Sequence, residues 1–358
     1  MSKIYNSFLI FFISLYINGQ TFSKDTLQIM FVGDIMSHGP QIKAAYQSQT
    51  GTYDFSESFK YVTGIFKQAD WVIGNLETTL GVKPYSGYPQ FSAPPALAKA
   101  CRDAGINVLA TANNHSCDKG KKGIINTINL LDSISVKHLG TYKNNIERQN
   151  ATPLILDKKG IKVAVLNYTY GTNGLPVPKP AVVNLIDTKL IKKDIVKAKT
   201  LDPDIIIAFL HWGQQYKNKP GQTQKQLVDF FHKQGVNIVI GSHPHVIQDV
   251  DFERDYINFI DYFTVYSLGN FISNQRTFPR DGSMIVHLSV TKNNRGQVRL
   301  TGYKLIPVWV YKYQNKNNRK WHYEILPVEH FKYRPDYFIK NTDYQKMMHY
   351  YKHFLKYL

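Results

Sequence analysis

The chain has 358 residues, of which 43% are hydrophobic and 20% are charged. It is therefore long enough to bury a core, in one large domain or two smaller ones. The 44 Lys and Arg residues outnumber the 26 Asp and Glu residues, which gives a formal net charge of +18. This excess suits an acidic partner, such as a polyanion, nucleic acid or anionic membrane, or else reflects only the abundance of Lys along the whole chain.

Residues 1–20 have the pattern of a secretory signal peptide. Lys3 provides a small positive region, and residues 8–17 form an apolar stretch that is too short to span a bilayer comfortably. Small and polar residues then indicate cleavage near Gly19 or Gln20. The alternative is that the segment is retained as a membrane anchor. We therefore expect an exported protein of the periplasm or cell envelope.

Apolar runs rich in β-branched residues recur along the chain and predict buried strands. They span residues 27–33, 71–75, 106–112, 162–168, 204–212, 236–243 and 263–270. Helical patterns lie between them. One helix is expected to begin near Asp118 as its N-cap, and another to cover residues 223–234 with Gly235 as the stop signal. This alternation of strand and helix predicts an α/β fold.

The pattern changes from about residue 284. Residues 283–290 and 297–311 flank the turn-like sequence KNNRG, which predicts an antiparallel hairpin at the edge of the sheet or in a second sheet. Residues 311–358 are basic and rich in Tyr, and we expect a peripheral helical cap there. The predicted organisation is a signal peptide at 1–20, a main domain at 26–310 and a C-terminal extension at 311–358.

Cys101 and Cys117 are the two cysteines of the sequence. They could form a disulfide bond in an oxidising compartment, or remain as two free and buried thiols. Their spacing matches no zinc-binding module.

Polar side chains follow six of the predicted strands, at the point where each strand ends. They are Asp34, Asn75, Glu77, Asn113, Asn114, His115, His211, His243, His245 and Asn270. Because the carboxyl ends of the strands share one edge of an open α/β sheet, these side chains are expected to form one site. A carboxylate at the end of a buried strand, such as Asp34, is costly unless it is paired or bound to a metal.

Imidazole, carboxylate and amide groups together predict a divalent metal ion, with Zn, Mn or Fe as candidates. Each stretch alone has a plainer interpretation, since an Asp after a strand is commonly a helix N-cap and a lone His is commonly packed in a core. The combination, in which each element follows a strand, predicts the shared site. Asn113, Trp212 and Asn270 are assigned to substrate binding.

These stretches, in this order, resemble the capsule synthesis protein CapA family, also called the poly-γ-glutamate biosynthesis CapA-like proteins. The matching sequences are FVGDIM, GNLET, TANNHSCDKG, FLHWGQQY, IGSHPHVIQ and YSLGNF, within residues 27–275. The family is similar in fold to calcineurin-like metallophosphoesterases, so the resemblance implies a four-layer α/β/β/α sandwich with mixed sheets. It also implies a link with an acidic extracellular polymer, polyglutamate or capsule, and with membrane-bound synthesis machinery.

The similarity to metallophosphoesterases implies roles for individual residues. Asp34 matches the Asp of their first Asp-x-His motif, and Met36 stands in place of its His. Asn75 stands in place of their bridging Asp, and Glu77, two residues on, is a candidate for the missing carboxylate. Because these two standard ligands are replaced, we expect one metal ion or a differently built pair.

The remaining positions match more closely. Asn114 and His211 match metal ligands, and His243 and His245 match the Gly-His-x-His motif with one serine inserted after its glycine. His115 matches the residue that assists the leaving group. The predicted catalytic residues are therefore His115 and Asp34, and the predicted metal ligands are Asp34, Asn75, Glu77, Asn114, His211, His243 and His245.

One position departs from CapA-like proteins, which commonly have a glutamate between His-Trp-Gly and a tyrosine. Here Gln214 and Gln215 precede Tyr216. If that glutamate acts as a base or a ligand, its loss weakens catalysis.

Three functions remain open. The chain is a metal-dependent hydrolase or transferase acting on a cell-envelope polymer, a non-catalytic accessory protein that binds an acidic polymer, or a generic metal-dependent phosphoesterase. Nucleic acid is not an expected partner, because the sequence has no recognition motif and the chain is expected to be exported.

Overall fold

The computed structural model describes residues 26–256, 260–316 and 319–358, so the signal peptide predicted at residues 1–20 lies outside the described residues. In chain order the strands are β1 (Thr26–Ile35), β2 (Tyr46–Gln47), β3 (Thr52–Tyr53), β4 (Trp71–Leu76), β5 (Thr79–Leu80), β6 (Ser92–Ala93), β7 (Val108–Ala110), β8 (Lys137–Leu139), β9 (Thr141–Tyr142), β10 (Leu154–Lys158), β11 (Ile161–Thr169), β12 (Val182–Val183), β13 (Ile205–His211), β14 (Ile238–Ser242), β15 (Val250–Asp255), β16 (Ile260–Val265), β17 (Gly282–Lys292), β18 (Val298–Gln314) and β19 (Trp321–Pro327).

The helices, in the same order, are α1 (Gly39–Ala45), α2 (Ser56–Phe59), α3 (Thr63–Phe66), α4 (Ala96–Ala104), α5 (Gly120–Ser133), α6 (Asn145–Ala151), α7 (Thr188–Thr200), α8 (Gln222–Lys233), α9 (Val328–Phe331) and α10 (Asn341–Phe354). Short 3-10 helices lie at Pro335–Tyr337 and Leu355–Tyr357. Among these described helices, none combines the length and the apolar character needed to cross a bilayer.

Two mixed β-sheets organise the described part of the chain. The first has seven strands in the order β19-β18-β17-β1-β4-β7-β8, and the second has six in the order β10-β11-β13-β14-β16-β15. The strands β1, β4, β7 and β8 of the first sheet and β11, β13, β14 and β16 of the second are parallel. The predicted hairpin is confirmed as β17 and β18, which pair antiparallel and extend the first sheet beyond β1.

Strand β1 shows why the apolar runs are continuous. Leu27, Ile29 and Phe31 pack in the core between the two sheets. Met30 and Val32 face the opposite side and pack under helices that include α2 and α4. Helices α7 and α8 cover the outer face of the second sheet. The layers therefore follow the order α/β/β/α, as the sequence predicts.

Helix α5 begins later than predicted, and Asp118 is not its N-cap. The helix begins at Gly120 with Lys119 as the N-cap residue. The Asp118 carboxylate accepts a hydrogen bond from the N–H of Phe91 and contacts Nδ1 of His115, so it is not available to cap the helix.

Cys101 and Cys117 are free thiols, which is the second of the two alternatives drawn from the sequence. Cys101 lies on the buried face of α4, whereas Cys117 lies in a separate small cluster near α5. Burial raises the pKa of both thiols, to about 11 for Cys117, so neither is poised to react.

Residues 311–358 are not the wholly helical cap expected from the sequence. Strand β18 continues to Gln314, and β19 forms the edge of the first sheet. Helix α10 then buries Met347, Tyr350 and Phe354 completely or almost completely. The Tyr350 ring packs so closely on Gly282 that a Cβ at that glycine would lie 2.4 Å from it. This extension is therefore part of the packed fold.

Candidate metal centre

The carboxyl ends of parallel strands from both sheets meet at one edge, as predicted. Asp34 of β1 is paired with Asn75 of β4, and the register of the two strands shifts between Val32 and Asp34. Gly33 lies at this irregularity. A Cβ there would lie 1.9 Å from the carbonyl oxygen of Gly269, so the position has no room for a side chain. That carbonyl accepts a hydrogen bond of 2.9 Å from the N–H of Asp34. Gly33 therefore permits the backbone approach that fixes Asp34 at the sheet edge.

The structure brings the predicted metal ligands into one connected and buried cluster, in which each is at most 3% exposed. They are Asp34, Asn75, Glu77, Asn114, His211, His243 and His245. Their side-chain atoms form two groups that could each hold a metal ion, and the ligand atoms of each group lie within 4.8 Å of one another.

The first ligand group consists of Asp34, Glu77 and His245. Nδ1 of His245 lies 3.0 Å from Oδ2 of Asp34 and 3.1 Å from Oδ1 of Asn270. The other Asp34 oxygen accepts a hydrogen bond of 2.8 Å from Nδ2 of Asn75. Two acceptors at Nδ1 of His245 favour a proton there, so Nε2 is the nitrogen whose lone pair could bind a metal ion.

The second ligand group consists of Glu77, His211 and His243. Nε2 of His211 lies 2.9 Å from Oδ1 of Asn114, 3.1 Å from Nδ1 of His243 and 3.5 Å from Oε1 of Glu77. Nδ1 of His211 lies 3.0 Å from Oγ of Ser242, the serine inserted into the Gly-His-x-His motif. Four potential donor atoms therefore converge here from different strand ends.

Glu77 belongs to both groups and shows that the cluster fits a cation. Its side chain is completely buried, and neither of its oxygens forms a hydrogen bond with a described residue. Burial and the nearby carboxylate of Asp34 raise the pKa of Glu77 well above its usual value. An unpaired buried carboxylate is costly, and a divalent cation is the partner that its surroundings lack. The donor set suits one metal ion or two that share Glu77.

Burial also keeps the neighbouring histidines in the form that binds metals. Burial, together with the charges of adjacent imidazoles, lowers the pKa of His211 well below its usual value and that of His243 to about 3. Neutral imidazole is the ligand form of histidine. His38, two residues after Met36, is held near a pKa of about 4 by burial but belongs to neither ligand group.

The loop that carries His243 and His245 has a strained backbone. The φ angle is 97° at His243 and 60° at His245. Such conformations cost roughly 1–3 kcal/mol each in residues other than glycine, and they concentrate at functional sites. Here each strained residue supplies a side chain to one of the two ligand groups.

His115 lies near the cluster but in neither ligand group. Its Nδ1 is 2.7 Å from Oδ2 of Asp118, and the ring of Phe91 packs edge-on against the imidazole with centroids 4.6 Å apart. The proximity of His115 contributes to the lowered pKa of His211 and His243. Asp118 and Phe91 therefore orient the imidazole of His115 beside the potential ligands.

The three residues assigned to substrate binding are at most 1% exposed, and each forms contacts that hold neighbouring groups in place. Asn113 donates a hydrogen bond of 2.7 Å to the carbonyl oxygen of Leu76, at the end of β4. Asn270 holds His245. The indole of Trp212 lies in the core and donates a hydrogen bond of 2.9 Å to the carbonyl oxygen of Tyr266.

The rim of the site includes residues that sequence reasoning did not find. The ring of Tyr170 lies 4.5 Å from that of His243, and Asn173 accepts a hydrogen bond of 3.2 Å from Nδ2 of Asn114. Tyr170 follows β11 directly, which is the one signal that could have identified it. Asn173 lies on the loop beyond β11, and only the tertiary structure brings it to the site.

Solved structures show the same fold. The NAD nucleotidase of Haemophilus influenzae (NadN) superposes with a TM-score of 0.51 and 14% sequence identity, over 91% of this chain and 66% of that one. This likeness confirms the predicted fold class, a four-layer α/β/β/α sandwich with mixed sheets.

Sequence relatives agree with the predicted family. The chain is 30% identical over 281 residues to the capsule biosynthesis protein CapA of Bacillus anthracis, covering 73% of this chain and 64% of that protein. It is 30% identical over 293 residues to the PGA biosynthesis protein CapA of Bacillus subtilis (strain 168), covering 79% and 72%. The chain thus spans less than two thirds of the length of the B. anthracis relative. Residues 28–275 match the profile of the bacterial capsule synthesis protein PGA_cap family. The chain belongs to this family.

Proposed function

We propose that the chain is an exported, metal-dependent hydrolase or transferase that acts on an acidic polymer of the cell envelope, polyglutamate or another capsule polymer. The observation that carries this proposal is Glu77, which is completely buried, has no hydrogen bond within the described chain and is shared by two ligand groups. Membership of the family supports the link with capsule polymer. The composition of residues 1–20 supports export.

The metal would be held by the two ligand groups. Asp34 and His245 belong with Glu77 to the first group, and His211 and His243 belong with Glu77 to the second. Zn, Mn and Fe are the candidates, because imidazole and carboxylate ligands suit them. When bound, a divalent metal ion supplies Lewis-acid polarisation of an amide or ester oxygen.

The protein's own residues supply orientation and a proton. Asn75 donates to Asp34, and Asn114 contacts His211, so the amides hold two ligands in place. In our proposal His115 gives a proton from Nε2 to the leaving nitrogen or oxygen. Asp118, 2.7 Å from Nδ1, stabilises the imidazolium that carries this proton.

The test uses the full chain loaded in turn with Zn, Mn or Fe(II), and oligo-γ-glutamate as the substrate. We expect new amino termini to appear in the presence of metal, and cleavage to stop after chelation and in Glu77→Gln. Glu253→Gln, which changes an exposed glutamate of β15, is the matched control and should cleave normally. Cleavage of a chromogenic phosphate ester without cleavage of the oligomer would identify a generic phosphoesterase instead.

A non-catalytic role in binding the polymer is the second candidate, and Gln215 favours it. Nε2 of Gln215 lies 3.5 Å from Nε2 of His245, and the glutamate that CapA-like proteins commonly have in this stretch is absent. If that glutamate supplies a base or a ligand, this chain retains binding and loses turnover. Tight binding of the oligomer to the metal-loaded protein without cleavage would establish this role.

A further inference from the structure

We propose that the guanidinium of Arg280, held on the ring of Tyr216, binds a carboxylate of the substrate beside the metal centre. This inference rests on the proposed function, because it identifies the group that recognises the acidic substrate. It makes Arg280 a specificity-determining residue and Tyr216 a positioning residue.

Arg280 is fixed next to the centre by two contacts that leave its charge unused. The guanidinium carbon lies 3.8 Å from the centre of the Tyr216 ring, which is a close cation–π contact. The carbonyl oxygen of Arg280 accepts a hydrogen bond of 2.8 Å from Nδ2 of Asn270. Because Oδ1 of Asn270 contacts His245, a single amide holds both a potential metal ligand and the backbone of Arg280.

Tyr216 is itself anchored to the loop that carries the ligand histidines. Its N–H donates a hydrogen bond of 2.8 Å to the carbonyl oxygen of Pro244, and its ring centroid lies 5.9 Å from that of His245. Its φ angle of 67° is in the left-handed region, which is uncommon for a residue with a side chain. This anchoring keeps the ring, and the guanidinium on it, beside the first ligand group.

The guanidinium has no hydrogen bond or ion pair with any residue that the structure describes. Arg148 and Arg254, in contrast, each pair with an aspartate. Gln215, next to Tyr216, is neutral, so it adds no negative charge to this loop. A guanidinium presents a planar fork of donors that matches the two oxygens of a carboxylate.

The position suits a polymer in which an acidic group lies close to the bond that reacts. In a polyglutamate, every repeating unit carries one free carboxylate beside the amide of the backbone. With that amide at the metal ligands, a neighbouring carboxylate would reach Arg280. The arginine would then select acidic chains and fix their register on the site.

The proposal is tested by titrating fluorescein-labelled oligo-γ-glutamate with the metal-loaded full chain and measuring binding by fluorescence anisotropy. Losing a charge-assisted bidentate contact should raise Kd about 10-fold to 100-fold in Arg280→Gln. Arg280→Lys should recover only part of the loss, because lysine keeps the charge but not the planar fork. Arg295→Gln removes an exposed arginine from the turn after β17, at the far end of β1 from Asp34, and should leave Kd within about twofold of the wild-type value.

Two further comparisons separate recognition from a structural effect. Tyr216→Phe keeps the ring and should bind as the wild type does, whereas Tyr216→Leu should weaken binding as Arg280→Gln does. The oligomer with its carboxylates converted to methyl esters should bind weakly and equally to the wild type and to Arg280→Gln. Metal content should be unchanged in all these variants.

The inference is overturned if Arg280→Gln binds the acidic oligomer as tightly as the wild type, or if its weaker binding accompanies loss of metal. Either result leaves the proposed function intact when the wild type still cleaves the oligomer in a metal-dependent way. If the wild type neither binds nor cleaves the acidic oligomer, both the inference and the proposed polymer substrate are rejected.

Discussion

Oε1 of Glu77 lies 3.5 Å from Nε2 of His211, with both side chains completely buried and no hydrogen bond between them. Two potential metal ligands therefore approach each other in the interior, where an unpaired carboxylate is most costly. The remaining donors of both ligand groups surround this pair. A cation in contact with Glu77 and His211 would account for the arrangement, and the predictions below follow from this proposal.

Asp34→Ala and His243→Ala should each lose bound metal while the domain stays folded. Both residues lie at strand ends outside the hydrophobic clusters, so their loss removes ligand atoms without opening a core. Metal per chain measured by mass spectrometry, with circular dichroism as the check on folding, tests this. Asp229→Ala, at an exposed position of α8, is the control. Unchanged metal content in both variants would refute the ligand assignment.

His115→Ala should reduce kcat by about 100-fold to 10,000-fold on a cleaved oligomer while metal content stays the same. The reason is that His115 belongs to neither ligand group and its Nδ1 is held by Asp118. Asp118→Asn should give a smaller reduction, because the imidazole remains but its protonated form is less stabilised. Wild-type turnover in His115→Ala would exclude His115 as the proton donor.

Gly33→Ala should destabilise the fold by about 1–3 kcal/mol, because overpacked positions typically cost this much. The added Cβ would lie 1.9 Å from the carbonyl oxygen of Gly269, so one of the two backbones must move. Asp34 moves with it, and metal affinity should also fall. The measurement is the free energy of chemical unfolding of Gly33→Ala compared with that of Gly39→Ala, where the added Cβ meets no atom within 4 Å. Equal stability of the two variants would contradict the close approach.

The stability of the protein should fall in acid partly because of His287, a residue remote from the metal ligands. Burial lowers the pKa of His287 to about 4, and its Nε2 lies 2.7 Å from Oε1 of Gln28. Above about pH 7.5 the imidazole is almost entirely neutral in both the folded and the unfolded chain and contributes almost nothing to the pH dependence. As the pH falls from 6.5 towards 4, only the unfolded chain binds the proton, so the free energy of unfolding decreases.

Between pH 7.5 and pH 4.5, the free energy of unfolding of His287→Gln should therefore fall by about 2–3 kcal/mol less than that of the wild type. Urea unfolding at the two pH values gives the difference directly. Comparing the change with pH, rather than the stability at one pH, removes any constant cost of the substitution itself. Parallel pH profiles for the two proteins would show that His287 is protonated as readily in the folded state as in the unfolded one.

The main sheet strands and the edge that carries the site could be predicted from the sequence. Continuous apolar runs indicate the buried strands, and each run ends in polar or titratable residues that are costly to bury in a hydrophobic core. Asp34 and His211 stand out in this way from the sequence alone. The role of Glu77 could be stated only as a candidate, since nothing in the order of residues shows that its oxygens lack partners. That fact depends on the distances among five strand ends.

Other features could not be predicted because they depend on contacts between distant segments. Asp118 has the local signature of an N-cap, but Phe91 and His115 take its carboxylate. Trp212 follows His211, a predicted ligand, and yet points into the core, where the carbonyl oxygen of Tyr266 accepts its N–H. Arg280 lies in a loop with no motif, and only the fold places it on Tyr216.

The most direct test of the central claim compares the metal content of the full chain with that of Glu77→Gln. Both are measured before and after chelation, and Tm is measured on the same samples. The wild type should carry one or two metal ions per chain, and chelation should remove them and lower its Tm, because metal binds only the folded state. Glu77→Gln should lack the metal and show a Tm that does not respond to the chelator, whereas Glu253→Gln should behave as the wild type. The account would be contradicted if Glu77→Gln had the same metal content as the wild type and the same change of Tm on chelation.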